Sequence, residues 1–311
     1  MHFFYTACTG LRPISALLSA CMGGGGGDVT QNGSPSRPPS VAFEGHCHRQ
    51  YHDYVLVDGQ AVTATFEIDP NSGAVTLTEI NDRHGSQMYL TGEGGTSYGT
   101  EIVAQNSGFD FDVRETGHTV RASGHYAIWH IEEDNVLAVF VVPDMADVNY
   151  LSYGTWMAGY GTNSGSVGTG VYGIKTDPAQ LADAASANYT GFSTGVARRA
   201  DGSPNIAQSQ ITLSTSDFDN ISITSTNTVV EKLSLENPVL ERAAKLDFSG
   251  TGTISGADFS TNITAATSSG TLDGSFYGPL VREAGGTFQL SGPDVEYIGS
   301  FGATGTVTRV P

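Results

Sequence analysis

Apolar and polar residues alternate over short stretches of this chain, and glycine closes most of them. FEIDPNSGAVTLTEI, residues 66–80, reads as two strands around a D-P-N-S-G turn. HYAIWHIEEDNVLAVFVVPD, residues 125–144, sets an alternating stretch ahead of the apolar run LAVFVV, which the pattern sends across a core. Beyond residue 146 the punctuation becomes regular. YLSYGTWMAGYG, ANYTGFSTGVA, KLDFSGTGTISG, GTLDGSFYGP and EYIGSFGATG each read as one short strand ending in Gly. The one helical hint is TDPAQLADAAS, with Pro178 at a first helical position behind Asp177. The predicted fold is all-β, with a first β segment over residues 41–145 and a second over 146–311. Eight or so strands at this spacing predict a small closed antiparallel barrel for the second segment, which leaves no exposed edge.

Composition agrees with the pattern. Glycine makes up 40 of the 311 residues, about 13% against a usual value of about 7%. Each Gly inside a helix costs roughly 1 kcal/mol relative to Ala, so long helices are disfavoured. Inside strands, glycine fits tight bends and close backbone approach. The formal net charge is −18, and the only lysines are Lys175, Lys232 and Lys245. Such a chain is repelled by phosphate backbones, which excludes nucleic acid as a partner. It is equally unsuited to electrostatic attachment to anionic lipid. Charge either steers a basic partner or serves solubility alone. The three cysteines, Cys8, Cys21 and Cys47, make no disulfide framework, so a large apolar core must stabilise the fold. No run of eighteen apolar residues is present, so no transmembrane helix is predicted.

The N-terminus divides further. Residues 13–20, PISALLSA, have the length and small-residue ending of the apolar part of a signal peptide. The preceding MHFFYTACTGLR carries one Arg and no Lys. Leu18-Ser19-Ala20-Cys21 matches the lipobox of bacterial lipoproteins, in which the Cys thiol takes a diacylglycerol and becomes the new N-terminus. Residues 1–20 are thus read as a leader and Cys21 as the lipidated residue. Residues 21–40, with GGGGG followed by SPSRPPS, read as a flexible tether. The pentaglycine is not followed by G-K-[ST], so it is no phosphate loop. Met22, rather than Asp, after the Cys is compatible with export to the outer membrane.

Candidate chemistry concentrates before the barrel. His46, His48, His52, His84, His118, His125 and His130 all precede residue 131, and the predicted barrel has neither His nor Cys. Ser-His-Asp and Cys-His catalysis inside it are therefore excluded. Gly45-His46-Cys47-His48-Arg49-Gln50-Tyr51-His52 is the one dense ligand cluster. Imidazole and thiolate together suit a transition metal or haem. His48 and His52 align on a helix, whereas His46, His48 and His52 share a face on a strand, and His84 could complete the set. The alternative is a polar strand with a buried free thiol. His125 and His130 flank Trp129, but residues five apart on a strand point to opposite faces. Asp110 and Asp112, and Glu132, Glu133 and Asp134, read as solvated turns rather than a glycosidase pair. A calcium loop counted from Asp69 fails, because Ala74 and Ile80 stand where Gly and Glu are needed. Gly168-Thr169-Gly170-Val171-Tyr172-Gly173 fits G-x-G-x-x-G but opens no helix, so it is no dinucleotide site.

GSFYGPLVREAGGTFQL, residues 274–290, followed by EYIGSFGATG, residues 296–305, resembles the last hairpin of the transferrin-binding protein B β-barrel family. YLSYGTWM and ANYTGFSTGVA resemble that family's opening strands. The resemblance covers about half the chain, and the F-Y-G-P…E-x-G-G-T-F…F-G-A series is specific as a set. It implies an N-terminal handle-like β domain over 41–145 and an eight-stranded barrel over 146–311. It also implies a lipid-anchored outer-membrane protein, displayed at the cell surface, that binds rather than catalyses. The implied partner is an iron-linked protein or ligand, with a TonB-dependent outer-membrane receptor beside it. Direct haem or metal binding by the His-rich segment, and a purely structural envelope role, are the alternatives. Gly274, Phe276, Tyr277, Gly278, Gly285, Gly286, Phe288, Phe301 and Gly302 carry over as structural barrel positions only, and the single-lobe length sets this chain apart from the two-lobed transferrin receptors.

Overall fold

Period-two alternation with short connections yields strands that pair antiparallel throughout the described residues. The computed structural model describes residues 53–69, 71, 75–81, 84–93, 97–104, 109–112, 118–123, 126–131, 135–141, 147–159, 162–198, 204–232, 240–293 and 295–310. A first sheet contains β1 (Asp53–Ile68), β2 (Val75–Thr78), β3 (His84–Glu93), β4 (Ser97–Ala104) and β5 (Phe109–Asp112). It also contains β6 (His118–Ser123), β7 (Tyr126–Ile131), β8 (Val136–Val141), β9 (Leu151–Ala158) and β10 (Ser164–Gly173). The strand order is β5-β4-β3-β1-β10-β9-β8-β7-β6, with β2 paired to β1 alone. β1 pairs with β2 from Thr65–Thr78 to Ile68–Val75, and the Asp69 carboxylate accepts the Asn71 N–H at 2.7 Å; Pro70, Ser72 and Gly73 of the expected turn lie outside the described residues.

The second sheet is built from β11 (Ala184–Arg198), β12 (Pro204–Thr215), β13 (Asn220–Lys232), β14 (Leu240–Arg242) and β15 (Phe248–Ser255). It continues through β16 (Asp258–Ala265), β17 (Ser269–Tyr277), β18 (Glu283–Gly292) and β19 (Val295–Arg309). The path β12-β11-β19-β18-β17-β16-β15-β13 closes because β13 also pairs β12. The result is the expected eight-stranded antiparallel barrel, with β14 attached to β13 outside the ring.

Sheet membership changes after Gly173. β9 and β10 lie beyond residue 146, yet both pair within the first sheet. YLSYGTWMAGYG has the same alternation of aromatic and small residues as the barrel strands, and period two does not say which sheet a strand joins. TDPAQLADAAS supplies the link between sheets as one 3-10 turn, Pro178–Leu181, capped by the Asp177 carboxylate on the Ala179 N–H at 2.9 Å. Gly168–Gly173 runs as strand within β10.

Each barrel strand turns one face inward. On β16, Phe259, Thr261 and Ile263 are buried, while Ser260, Asn262 and Thr264 face solvent. The rings inside form a chain. Phe276 lies 5.8 Å from Tyr189, 5.6 Å from Phe218 and 5.3 Å from Phe259, and Phe288 lies 4.9 Å from Phe248 and 4.8 Å from Tyr297. Burying each such ring contributes about 1.5–3 kcal/mol. A second apolar core joins the two sheets. Val62, Phe66, Leu151, Tyr153 and Val171 from the first meet Val196, Ile206, Tyr277 and Ile298 from the barrel wall.

Candidate binding surface

The first sheet is docked on the barrel by glycines that expose backbone. Gly285 of β18 and Gly302 of β19 stand directly opposite one another. A Cβ placed on Gly302 would lie 2.5 Å from the Tyr153 ring and 2.7 Å from Leu151. One placed on Gly285 would lie 3.0 Å from Leu151 and from Val171. The bare patch is therefore a seat for β9 and β10, and the Ser300 hydroxyl adds a hydrogen bond to the Gly154 carbonyl at 2.9 Å. Gly274 makes room in the same way for the Phe259 ring inside the barrel.

Two carboxylates fasten this joint. Glu283 is 2% exposed. Its two oxygens accept the backbone N–H groups of Asn149 at 2.7 Å and Tyr150 at 2.9 Å, on the segment entering β9. Burial, opposed only in part by these hydrogen bonds, pushes its carboxyl up to about 7. Glu296 pairs with Arg198 at 3.0 Å and accepts the Leu77 N–H of β2 at 3.3 Å. The chain leaving β10 adds a third fastening. The Thr176 N–H donates to the Phe276 carbonyl, the Gly278 N–H to the Ile174 carbonyl, and the Thr176 hydroxyl to the Gly278 carbonyl at 2.7 Å. Beside it Lys175 pairs with Asp258 at 2.7 Å. Burial alone would raise the Asp258 carboxyl, but hydrogen bonds from Lys175 and Ser275 hold it below the ordinary carboxylate range.

The F-Y-G-P motif ends in an unusual loop. Gly278 has φ +72°, and Leu280 and Val281 follow at +64° and +61°. A β-branched residue in the left-handed region persists only where its surroundings over-determine it. Here the Val281 side chain is buried, its carbonyl accepts the Tyr189 hydroxyl at 2.8 Å, and the Leu280 N–H donates to Gln180 Oε1 at 2.7 Å. The loop thereby holds Leu280 out to solvent, 48% exposed. The other large apolar side chains exposed among the described residues are Ile80, Leu240 and Val310.

Phe276, Phe288 and Phe301 are fully buried residues of the barrel core. Tyr277 belongs instead to the joint core, and Gly285 and Gly302 serve the joint as much as the barrel. Cys21, His46, Cys47, His48 and His52 lie outside the described residues, as do His125 and Glu132–Asp134. His84, His118 and His130 fall on β3, β6 and β7, and Asp110 and Asp112 on β5. Among the described residues no group of three or more His, Cys, Asp or Glu is placed to hold a metal, and no helix is long and apolar enough to cross a membrane. Glu283 is the residue that pattern reading missed. Its signal was an acid opening the otherwise apolar and glycine-rich strand EAGGTFQL.

The family model describing the C-lobe and N-lobe β-barrels of Tf-binding protein B matches residues 147–305. The chain belongs to this family. The matched stretch opens with β9 and β10 rather than with the first barrel strand, so this Tf-binding protein B unit takes in the residues seated on Gly285 and Gly302. Among solved structures, a mutant of transferrin-binding protein B from Haemophilus parasuis Hp5 is similar at 15% identity and a TM-score of 0.44, covering 84% of this chain and 68% of that one. The N-lobe domain of lactoferrin-binding protein B of Moraxella bovis is similar at 13% identity and a TM-score of 0.38, covering 80% and 99%. HpuA from Kingella denitrificans in complex with human haemoglobin is similar at 11% identity and a TM-score of 0.40, covering 86% and 91%. No curated protein sequence matches the chain.

Proposed function

We propose that this chain is a lipid-anchored surface protein of the outer membrane that captures an iron-carrying protein. The reading is carried by the family match over residues 147–305. Residues 1–20 act as the leader, Cys21 carries the acyl chains, and residues 21–40 form the tether between membrane and body. The handle-like first sheet, which runs to Gly173, and the barrel from Ala184 onward together form the body. Loops held on a rigid scaffold, such as the one that presents Leu280, supply the contact surface. A chain of net charge −18 favours a basic face on the partner, and its association slows as salt rises.

The test immobilises the acylated full chain and passes transferrin, lactoferrin and haemoglobin over it by surface plasmon resonance. At least one of these iron carriers binds, with an on-rate that falls steeply with salt. Parallel expression with radiolabelled palmitate labels the wild type and leaves Cys21→Ser unlabelled. A labelled, folded chain that retains none of the three carriers overturns the capture reading.

A further inference from the structure

Glu283 opens β18 where three segments of the two sheets meet. Its carboxyl holds the Asn149 and Tyr150 N–H groups of the segment entering β9. The Tyr150 carbonyl accepts the Ile174 N–H at 3.0 Å, and the Ile174 carbonyl accepts the Gly278 N–H at 2.9 Å. The Tyr150 ring lies over Gly278, where a Cβ would come within 2.4 Å of it. Gly278 in turn starts the left-handed loop whose Leu280 N–H is held by Gln180. Carboxyl, joint and Leu280 loop therefore form one continuous set of contacts.

No counter-charge sits at this spot. Among the described residues no Lys, Arg or His forms an ion pair with Glu283. Across the ladder it faces Tyr277 on β17 and Thr304 on β19, while Asp273 of β17 stands opposite Thr287. β9 and β10 bring Leu151 and Val171 against the neighbouring Gly285. Burial raises the hydroxyls of Tyr150, Tyr153 and Tyr277, so all three stay neutral near pH 7. Arg282 is exposed and acts on the Tyr150 hydroxyl, and Lys175, bridged to Tyr277, is paired with Asp258. Asp147 ahead of β9, and Asp58 and Glu67 on β1, are exposed.

The two protonation states of Glu283 therefore differ in cost. A protonated carboxyl keeps lone pairs for both N–H groups. An ionised one adds a buried charge that no cation balances, and the joint relieves it by admitting water. The carboxyl value pushed up to about 7 by burial agrees with this geometry.

We propose that Glu283 is a proton-operated latch: protonated, it keeps the first sheet and the Leu280 loop seated on the barrel, and ionised, it loosens both. Its regulatory meaning, a contact surface whose presentation depends on protons, rests on the capture reading above. The latch itself does not, and its test needs no partner.

Hydrogen exchange is measured on the full chain at pH 5.5 and pH 8. It is read at the Thr176, Gly278 and Leu280 amides, none of which bonds to Glu283. Protection is each rate compared with that of an unstructured peptide at the same pH, which removes the intrinsic effect of pH on exchange. A carboxyl at 4.5 when open and about 7 when closed lowers protection at these amides about thirtyfold from pH 5.5 to pH 8. Because the latch opens locally, they are less protected than β15 and β16 at both values. In Glu283→Gln the protection is the same at the two pH values, whereas Glu296→Gln, at the Arg198 pair, keeps the wild-type response. A Tm matching the wild type at pH 5.5 shows that the variants fold, and the wild-type response decides the matter without them. Wild-type protection that does not change with pH, a response that survives in Glu283→Gln, or joint amides as protected as those of β15 and β16 overturns the latch. Iron carriers that fail to bind leave all these rates as they are, so the two readings fail separately.

Discussion

The barrel interior and the joint are both buried, yet they treat polar groups differently. Inside the barrel the hydroxyls of Ser193, Ser209 and Ser225 satisfy one another at 2.6 and 2.8 Å beneath the aromatic chain. At the joint, a carboxylate with no basic partner reaches across to two backbone N–H groups. A closed ring of strands fixes its own geometry, so neutral hydroxyls suffice within it. An apolar seat between two sheets has no such closure and would tolerate a slip. Glu283 removes that freedom because its oxygens are held by the N–H groups of Asn149 and Tyr150 on the segment entering β9. Buried charge of this kind contributes positioning more than net stability.

That contrast can be broken at four places. The largest effect is expected inside the barrel. Phe276→Ala removes the ring that three others touch and costs about 3–5 kcal/mol, read as a lowered midpoint in urea. A loss under about 1 kcal/mol would show that the aromatic chain does not stabilise the barrel.

Next comes Glu283 and pH. Its folded value of about 7 lies above the unfolded 4.5. The folded state therefore holds a proton that the unfolded state releases. The stability this group contributes is fully present below pH 4.5 and is lost as pH rises through 7, a change of roughly 3 kcal/mol. Glu283→Gln removes that component, so the difference between wild type and variant changes with pH across this window. A constant difference would place the carboxylate in contact with water.

The third break targets the seat. Gly302→Val drives a side chain into Tyr153 and Leu151 and costs about 1–3 kcal/mol. Hydrogen exchange should quicken in β9 and β10 while β15 and β16 keep their protection. Equal loss in both regions would mean that joint and barrel unfold as one unit. The smallest effect belongs to Arg198→Ala. Both partners of its pair with Glu296 are 20% exposed, and about 0.5–1 kcal/mol is expected from denaturation in low salt, less in high salt.

Much of the fold was legible because its signals are local. The Asp177-Pro178 cap and the glycine-closed stretch KLDFSGTGTISG, which forms β15, each act within a few residues, and each appears where the pattern set it. Gly285 and Gly302, within the motif from Gly274 to Gly302, also face β9 and β10. Nothing near Gly285 or Gly302 in the sequence names the partners that sit on them, since Leu151 and Tyr153 are more than a hundred residues away.

The amino-acid sequence by itself determined that this chain forms short strands closed by glycine and that eight of them build a small antiparallel barrel, with no long helix among the described residues. Those follow from period-two alternation, glycine content and turn chemistry. Only the tertiary structure decided that β9 and β10 leave the barrel for the first sheet, that paired glycines make a seat, and that Glu283 is buried against backbone N–H groups. The reason is physical. Alternation states that one face of a strand is buried, whereas the neighbour that buries it is chosen by long-range packing between surfaces that no local stretch encodes.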